Sequence, residues 1–196
     1  MKVKDFFSLV KFSHTIFALP FAAIGFSLAV WYDGYAFDWN LLLYVLLCMI
    51  FARSAAMGFN RLVDSKFDAK NERTAPREIP AGLISKHAAL VFVILMSVLF
   101  VATTWFINRI CFYLSPVALG VILFYSYTKR FTPLCHLVLG IGQSLVPIGA
   151  YLAVSGQFAV TPIIFSLIVL GWMTGFDILY ALQDEEFDRK ESLHSI

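Results

Sequence analysis

The chain has 196 residues, of which 60% are hydrophobic, 16% aromatic and only 14% charged. A soluble domain of this size carries about 25% charged residues, so this chain has too few charges to cover a surface exposed to water. The composition therefore excludes a soluble globular protein and indicates a polytopic membrane protein, while the net charge of +2 points to no class of partner.

Six apolar segments follow one another along the chain. Each is long enough to cross a hydrocarbon core about 30 Å thick, which takes about 20 helical residues. All six should be α-helices, because a backbone surrounded by lipid has to satisfy its own hydrogen bonds. We predict an all-α fold in which residues 1–196 form a single transmembrane domain, with helices at 12–31, 40–59, 87–107, 110–127, 134–154 and 162–182.

The basic residues indicate how this bundle is oriented. With the N-terminus inside the cell, almost all of the 15 lysines and arginines flank the inner ends of the predicted helices. Only Arg109 falls in an outer loop, and Arg53 falls within a helix. The positive-inside rule therefore predicts a multi-pass membrane protein with a cytoplasmic N-terminus and cytoplasmic charged loops, which in a bacterium would lie in the plasma or inner membrane.

One acidic motif occurs twice, each time after an even-numbered predicted helix. DSKFDAK begins at Asp64 and DEEFDRK begins at Asp184, and a polar residue precedes each copy by four positions, Asn60 in the first and Tyr180 in the second. Internal repeats in membrane proteins often place a site at the interface between the two halves. The repeat therefore predicts a shared site on one side of the membrane.

The spacing within each copy indicates what this site binds. Residues four apart lie on one helical face, so Asn60, Asp64 and Asp68 form one stripe, and Asp184 and Asp188 form another. Stacked like charges repel each other unless a cation lies between them. Oxygen ligands favour Mg²⁺, which substrate phosphates commonly complete. The two stripes together predict a Mg²⁺-diphosphate site. The plainer interpretation is that these are ordinary surface acids at solvated helix ends, and it explains a single stripe better than it explains two related ones.

Basic residues near the stripes are suited to a diphosphate. The loop NERTAPREIPAG supplies Arg73 and Arg77, and YSYTKR supplies Tyr125 and Lys129 at a four-residue spacing. Such cations form charge-assisted bonds to phosphate oxygens. Positive-inside topology explains any one of these charges equally well.

Two charges are predicted inside the membrane. Arg53 lies seven residues before Asn60, and Asp177 lies seven before Asp184, so each sits two turns deeper on its stripe. A charge at that depth costs about 2.5 to 3.5 kcal/mol on insertion scales and marks a functional candidate. Either Arg53 holds an anionic acceptor, or the two residues pair across the bundle.

These strings resemble the UbiA superfamily of intramembrane aromatic prenyltransferases. NRLVDSKFD and DILYALQDEEFD resemble its two Asp-rich motifs, YSYTK its Tyr-x-x-x-Lys element and NERTAPREIPAG its Arg-rich loop. VKFSHTIFALPFA and ARSAAMGFNR are most similar to the 4-hydroxybenzoate polyprenyltransferase branch, including members assigned to menaquinone synthesis. Members of this family resemble a bundle of nine transmembrane helices, whereas six are predicted here. We therefore interpret this chain as an N-terminal fragment, truncated at the C-terminus, and do not expect it to be active alone.

The resemblance implies Mg²⁺-dependent transfer of a polyprenyl group from its diphosphate to an aromatic acid, above all 4-hydroxybenzoate, in ubiquinone or menaquinone biosynthesis. Asn60, Asp64, Asp68, Asp184 and Asp188 would hold Mg²⁺. The substrate-binding residues would be Arg53, Arg73, Arg77, Tyr125, Lys129 and Tyr180. The catalytic residues would be Arg53, Asp177 and Asp184. Apart from these substrates and the lipid bilayer we predict no partner, neither nucleic acid nor protein.

Two alternatives stay open at this point. The acceptor could instead be a naphthoate, homogentisate or haem. The chain could also be a divalent-cation transporter, although that function predicts carboxylates along the membrane midplane, and all the clustered acids except Asp177 gather at one face. The CDP-alcohol phosphotransferases are disfavoured, because the Asp-Gly-x-x-Ala-Arg string that opens their motif does not occur.

Overall fold

The computed structural model describes residues 3–11 and 18–194, and every regular element within those ranges is helical. The chain opens with a short helix, α1 (Val3–Leu9), followed by α2 (Leu19–Ser27), which continues into one π-helical turn (Leu28–Tyr32). The long helices are α3 (Trp39–Asp68), α4 (Lys86–Trp105), α5 (Arg109–Thr128), α6 (Cys135–Ser155) and α7 (Val160–Ala181). A 3₁₀ turn (Leu182–Asp184) then leads into α8 (Glu185–Lys190).

The predicted all-α membrane fold is confirmed. Helices α3 to α7 are each long and apolar enough to cross a bilayer, and Leu19–Tyr32 is a shorter apolar helix in place of the first predicted segment. Residues 12–17 of that segment lie outside the described residues. Exposed apolar side chains on α4 recur on one face, as lipid contact requires: Leu90, Val91, Ile94, Leu95 and Val98. The chain is an integral, multi-pass membrane protein.

Two helix ends differ from the prediction. α3 continues beyond Phe59 to Asp68, because an apolar run marks only the part of a helix that lies in lipid. After α7 the backbone tightens into the 3₁₀ turn, and Asp184 leaves α-helical geometry with φ −115° and ψ 9°. Asp184 therefore lies at the junction of the 3₁₀ turn and α8, and Asp188 lies within α8, so the second stripe starts at a helix boundary and not within a continuous long helix as the first does.

Glycines let the helices approach closely. A Cβ built on Gly25 of α2 would clash with the backbone of Pro147 on α6. A Cβ on Gly140 of α6 would lie 2.9 Å from the carbonyl oxygen of Leu170 on α7. Small residues at such crossings are the usual means by which membrane helices pack, because lipid supplies no hydrophobic driving force between them.

The loop between α3 and α4 folds over one end of the bundle. Its apolar residues Ile79 and Ile84 pack with Leu9 of α1 and Ala89 of α4. The hydroxyl of Ser8 donates to Glu78 over 2.5 Å, which ties α1 to the same loop. The loop therefore has an apolar core of its own that fixes its charged residues over the ends of α3 and α7.

Candidate active site

The first acidic motif occupies the last turns of α3. The Asn60 amide donates to Asp64 Oδ2 over 3.2 Å, as the four-residue spacing predicts. Asp64 is only 2% exposed. Lys129 Nζ and Arg130 Nη2, which directly follow α5, lie 3.0 Å and 3.3 Å from its two carboxylate oxygens. Two cations therefore offset the negative charge of this buried carboxylate.

Asp68, one turn further along α3, is 5% exposed. Arg77 Nη1 donates to its Oδ1 over 2.6 Å, and the Thr74 hydroxyl donates to its backbone carbonyl over 3.1 Å. Its other carboxylate oxygen, Oδ2, is buried and has no hydrogen-bond partner among the described residues. A buried anionic oxygen without a partner is unfavourable unless a ligand satisfies it.

The second motif meets the first at this end of the bundle. Asp184 accepts hydrogen bonds from Asn71 over 3.0 Å and from Arg73 Nε over 2.9 Å, and it is also ion-paired with Arg73 Nη2. The hydrogen bond to Asp184 raises the pKa of Arg73 above its ordinary value. Lys70 Nζ lies 2.5 Å from Glu191, just beyond α8. Residues that follow α3 thus bind residues that follow α7, while Asp188 lies half-buried on α8.

An apolar cavity of about 920 Å³ extends between α2 and α7, inside the bundle. Its polar lining residues include Lys11, Arg53, Asn60, Arg61, Arg77, Thr104, Ser115, Tyr125, Gln143, Asp177 and Tyr180. Asn60 and Tyr180 each precede an acidic motif by one helical turn. Asp64, Asp68 and Asp184 are not themselves part of this lining. Arg77, which pairs with Asp68, and Asn60, which pairs with Asp64, connect the first acidic motif to the polar end of the cavity.

Two arginines at this cavity, Arg53 and Arg61, each have a buried Nε that lacks a hydrogen-bond partner among the described residues. Arg61 is 5% exposed and forms no ion pair with the described part of the chain. Arg61 was not among the site residues predicted from the sequence. The one feature that pointed to it is its position directly after Asn60, the residue that precedes the first acidic motif by four positions. Unpaired cations inside a bundle favour an anionic ligand.

Asp177 lies deeper on α7, and its partner is a histidine. His136 Nδ1 is 2.7 Å from Asp177 Oδ2. The structure thus pairs Asp177 with His136 of α6 and not with Arg53. Sequence reasoning also missed His136, Asn71 and Arg130, because these contacts depend on which helices and loops are neighbours.

The donor set is compatible with Mg²⁺. No three His, Cys, Asp or Glu side chains within residues 3–11 and 18–194 form a group that could hold a metal by themselves. The oxygens that are present, from Asn60 and from the carboxylates around it, are hard ligands of the kind that Mg²⁺ prefers, and Mg²⁺ commonly takes its remaining ligands from water and phosphate. The unsatisfied Asp68 Oδ2 provides such an oxygen.

Comparison with known proteins agrees with this geometry. The UbiA prenyltransferase family model matches residues 18–196. A 4-hydroxybenzoate octaprenyltransferase from Tolumonas auensis is 35% identical over 158 residues, which are 81% of this chain and 55% of that relative. The chain thus spans little more than half of that relative's length.

Solved structures share the fold. The apo structure of a UbiA homolog from Aeropyrum pernix K1 has a TM-score of 0.84 at 33% identity, over 94% of this chain and 68% of that one. A UbiA homolog from Archaeoglobus fulgidus bound to GPP and Mg²⁺ has a TM-score of 0.73 at 22% identity, over 97% of this chain and 67% of that one. This chain belongs to the UbiA prenyltransferase family.

Proposed function

We propose that this protein transfers a polyprenyl group from its diphosphate to an aromatic acid, above all 4-hydroxybenzoate, as a step of quinone biosynthesis. The observation that carries the proposal is the meeting of two acidic motifs at the polar end of one apolar cavity. Asn71 and Arg73, which follow the first motif, bind Asp184 of the second. A diphosphate headgroup with an attached hydrocarbon chain has this same division into a charged and an apolar part.

The headgroup would bind where the basic residues now neutralise the carboxylates. Arg73, Arg77 and Lys129 each pair with an aspartate of the two motifs. Mg²⁺ held by Asn60, Asp64, Asp68, Asp184 and Asp188 would stabilise the charge of the departing diphosphate as a Lewis acid. The same arginines and the lysine can then turn to phosphate oxygens, with which they form charge-assisted hydrogen bonds.

The cavity would hold the prenyl chain and the aromatic acceptor. Its mostly apolar wall suits an isoprenoid and excludes water that would otherwise quench an allylic cation. Arg53, with a buried and unpartnered Nε, would bind the acceptor carboxylate. Tyr125 and Tyr180 line the same polar end and complete the substrate contacts.

Proton transfer completes the reaction. The allylic C–O bond breaks and its electron pair leaves with the diphosphate, after which the ring carbon ortho to the hydroxyl forms the new C–C bond. The proton on that carbon then has to leave. Asp177 is the only carboxylate among the described residues that line the cavity, so we assign it as the proton acceptor. Asp184, the other candidate, lies with the diphosphate end, where it would polarise the substrate through its bonded Arg73.

Relatives support this assignment at two levels. The name of the Tolumonas auensis relative gives 4-hydroxybenzoate as an acceptor and an octaprenyl donor for that protein. The Archaeoglobus fulgidus homolog binds GPP and Mg²⁺, and its likeness to this chain concerns the fold. We further propose that residues 1–196 act as one transmembrane domain and that the acidic end faces the cytoplasm, where the positive-inside rule places the basic loops.

A divalent-cation transporter fits the structure less well. A transport path needs carboxylates along the membrane interior, whereas Asp177 alone among the described acids lines the cavity. Cations already bind the clustered acids and would repel a metal ion entering without its phosphate.

The test uses full-length protein in detergent with labelled prenyl diphosphate, 4-hydroxybenzoate and Mg²⁺. We expect labelled prenylated acid, which EDTA and Asp64→Ala should each abolish, because Asp64 would be a metal ligand. Glu72→Ala is the matched control and should keep its activity, since Glu72 is an exposed carboxylate of the neighbouring loop. Label transfer that survives both EDTA and Asp64→Ala would overturn the metal assignment. Mg²⁺ uptake into proteoliposomes that Asp177→Ala blocks would favour transport.

A further inference from the structure

His136 and Asp177 form a hydrogen-bonded pair at the wall of the cavity, and of the two only His136 is buried. His136 Nδ1 and Asp177 Oδ2 are 2.7 Å apart. The His136 side chain is 5% exposed, whereas that of Asp177 is 30% exposed and lines the cavity. The histidine therefore lies behind the carboxylate. Its bond to Oδ2 leaves Oδ1 as the oxygen available to a ligand in the cavity.

Helix packing sets this geometry. His136 and Gly140 lie four residues apart on one face of α6, and Thr174 and Asp177 lie three apart on one face of α7. A Cβ on Gly140 would clash with the Thr174 hydroxyl and approach the Leu170 carbonyl oxygen to 2.9 Å. Because position 140 is a glycine, α6 and α7 come close enough for the imidazole to reach the carboxylate.

We propose that His136 is the positioning residue for Asp177 in proton abstraction from the acceptor ring. The proposal rests on the proposed function, since the proton comes from the ring carbon that receives the prenyl group. That ring carbon gives its proton to Asp177 Oδ1, the C–H electron pair restores the aromatic ring, and the carboxylic acid later releases the proton to water. An imidazole N–H that donates from Nδ1 to Oδ2 fixes the direction of the carboxylate.

A purely structural role is the competing explanation, because polar pairs also tie membrane helices together. Such a role would change folding or substrate binding without changing which step limits the rate. Proton loss from a ring carbon is detected by deuterium at that carbon, so an isotope effect separates the two roles.

The experiment compares kcat and KM of full-length protein for the ring-protonated and ring-deuterated acceptor. In His136→Leu we expect kcat to fall about tenfold. This loss is smaller than the decrease in kcat of roughly 10²-fold or more expected when the proton acceptor itself is removed. The KM for prenyl diphosphate should stay unchanged, and a deuterium isotope effect absent from the wild type should appear. His136→Asn should restore most of kcat, because its amide nitrogen can replace Nδ1 as donor. His87→Ala, a change at an exposed histidine of α4, is the control.

A double variant completes the design. If His136 acts through Asp177, then His136→Leu should have no further effect in an Asp177→Asn background, since coupled residues are not additive. Additive losses, or a slow His136→Leu without an isotope effect, would overturn the positioning role. Should His136→Leu fail to fold, His136→Asn alone tests the proposal. A His136→Asn protein whose kcat is well below that of the wild type and which shows no deuterium isotope effect would also overturn the positioning role. Absence of transfer by the wild type would instead overturn the proposed function itself.

Discussion

Two arginines with a buried Nε lie at the polar end of the cavity. Arg53 and Arg61 each place an Nε there without a hydrogen-bond partner among the described residues, and Arg61 has no ion pair within the same ranges. A buried charge is strongly unfavourable without a counter-charge. Two such residues on the wall of one cavity therefore indicate that an anionic ligand completes the site.

The acceptor carboxylate is the anion that we assign to Arg53. Arg53→Gln should raise the KM for 4-hydroxybenzoate by roughly 10- to 100-fold, because a hydrogen bond to a charged group contributes about 1.5 to 3 kcal/mol. The KM for prenyl diphosphate should change little. Steady-state kinetics with each substrate varied in turn checks this expectation, and phenol, which has no carboxylate, is the control acceptor. Equal losses for both substrates would place Arg53 at the diphosphate instead.

At the scale of helices, the approach of α6 to α7 decides whether the polar residues meet. Gly140 leaves room for Leu170 and Thr174 at the crossing, four residues from His136. By contrast, an added Cβ on Gly171 of α7 meets nothing within 4 Å. The same substitution at these two glycines therefore has different expected results.

Gly140→Ala should lower the free energy of unfolding by about 1 to 3 kcal/mol, the usual cost of overpacking. It should also slow prenyl transfer, since it moves α6 away from Asp177. Gly171→Ala should leave stability unchanged or raise it slightly, because alanine has the higher helix propensity. Unfolding temperatures in detergent together with kcat measure both effects. A Gly140→Ala protein as stable and as active as the wild type would show that close packing at this crossing is dispensable.

At the scale of the whole molecule, one end of a lipid-facing bundle carries nearly all of the polar chemistry. α3 and α7 are apolar helices long enough to cross the bilayer; α3 ends in acidic residues, and acidic residues follow α7 in the 3₁₀ turn and α8. The loop after α3 and the segment after α5 bring Arg77, Lys129 and Arg130 to these residues. The clustered acids and their basic partners thus lie together at one end, while Arg53, Arg61 and Asp177 line the cavity inside the bundle.

Sequence patterns predicted the local part of this arrangement. Apolar runs gave the helices, and four-residue spacing placed Asn60 against Asp64, because both features depend on neighbouring residues of one helix. Contacts between helices could not be obtained in that way. The bonds of Asn71 to Asp184 and of His136 to Asp177 join residues far apart in the chain, so they depend on the tertiary fold. The 3₁₀ turn before α8 had no signal in the acidic spacing.

The central claim is that both acidic motifs hold one Mg²⁺-diphosphate group, and calorimetric binding of a non-reactive prenyl diphosphate analogue tests it most directly. Titrations of the wild type, Asp64→Ala, Asp184→Ala and the double variant should be run with and without Mg²⁺. We expect binding by the wild type to depend on Mg²⁺, and we expect either single change to weaken it. The loss of binding free energy in the double variant should be smaller than the sum of the two single losses, because the two motifs are coupled through one ligand. Binding that is independent of Mg²⁺, or lost through one motif only, would contradict a shared site.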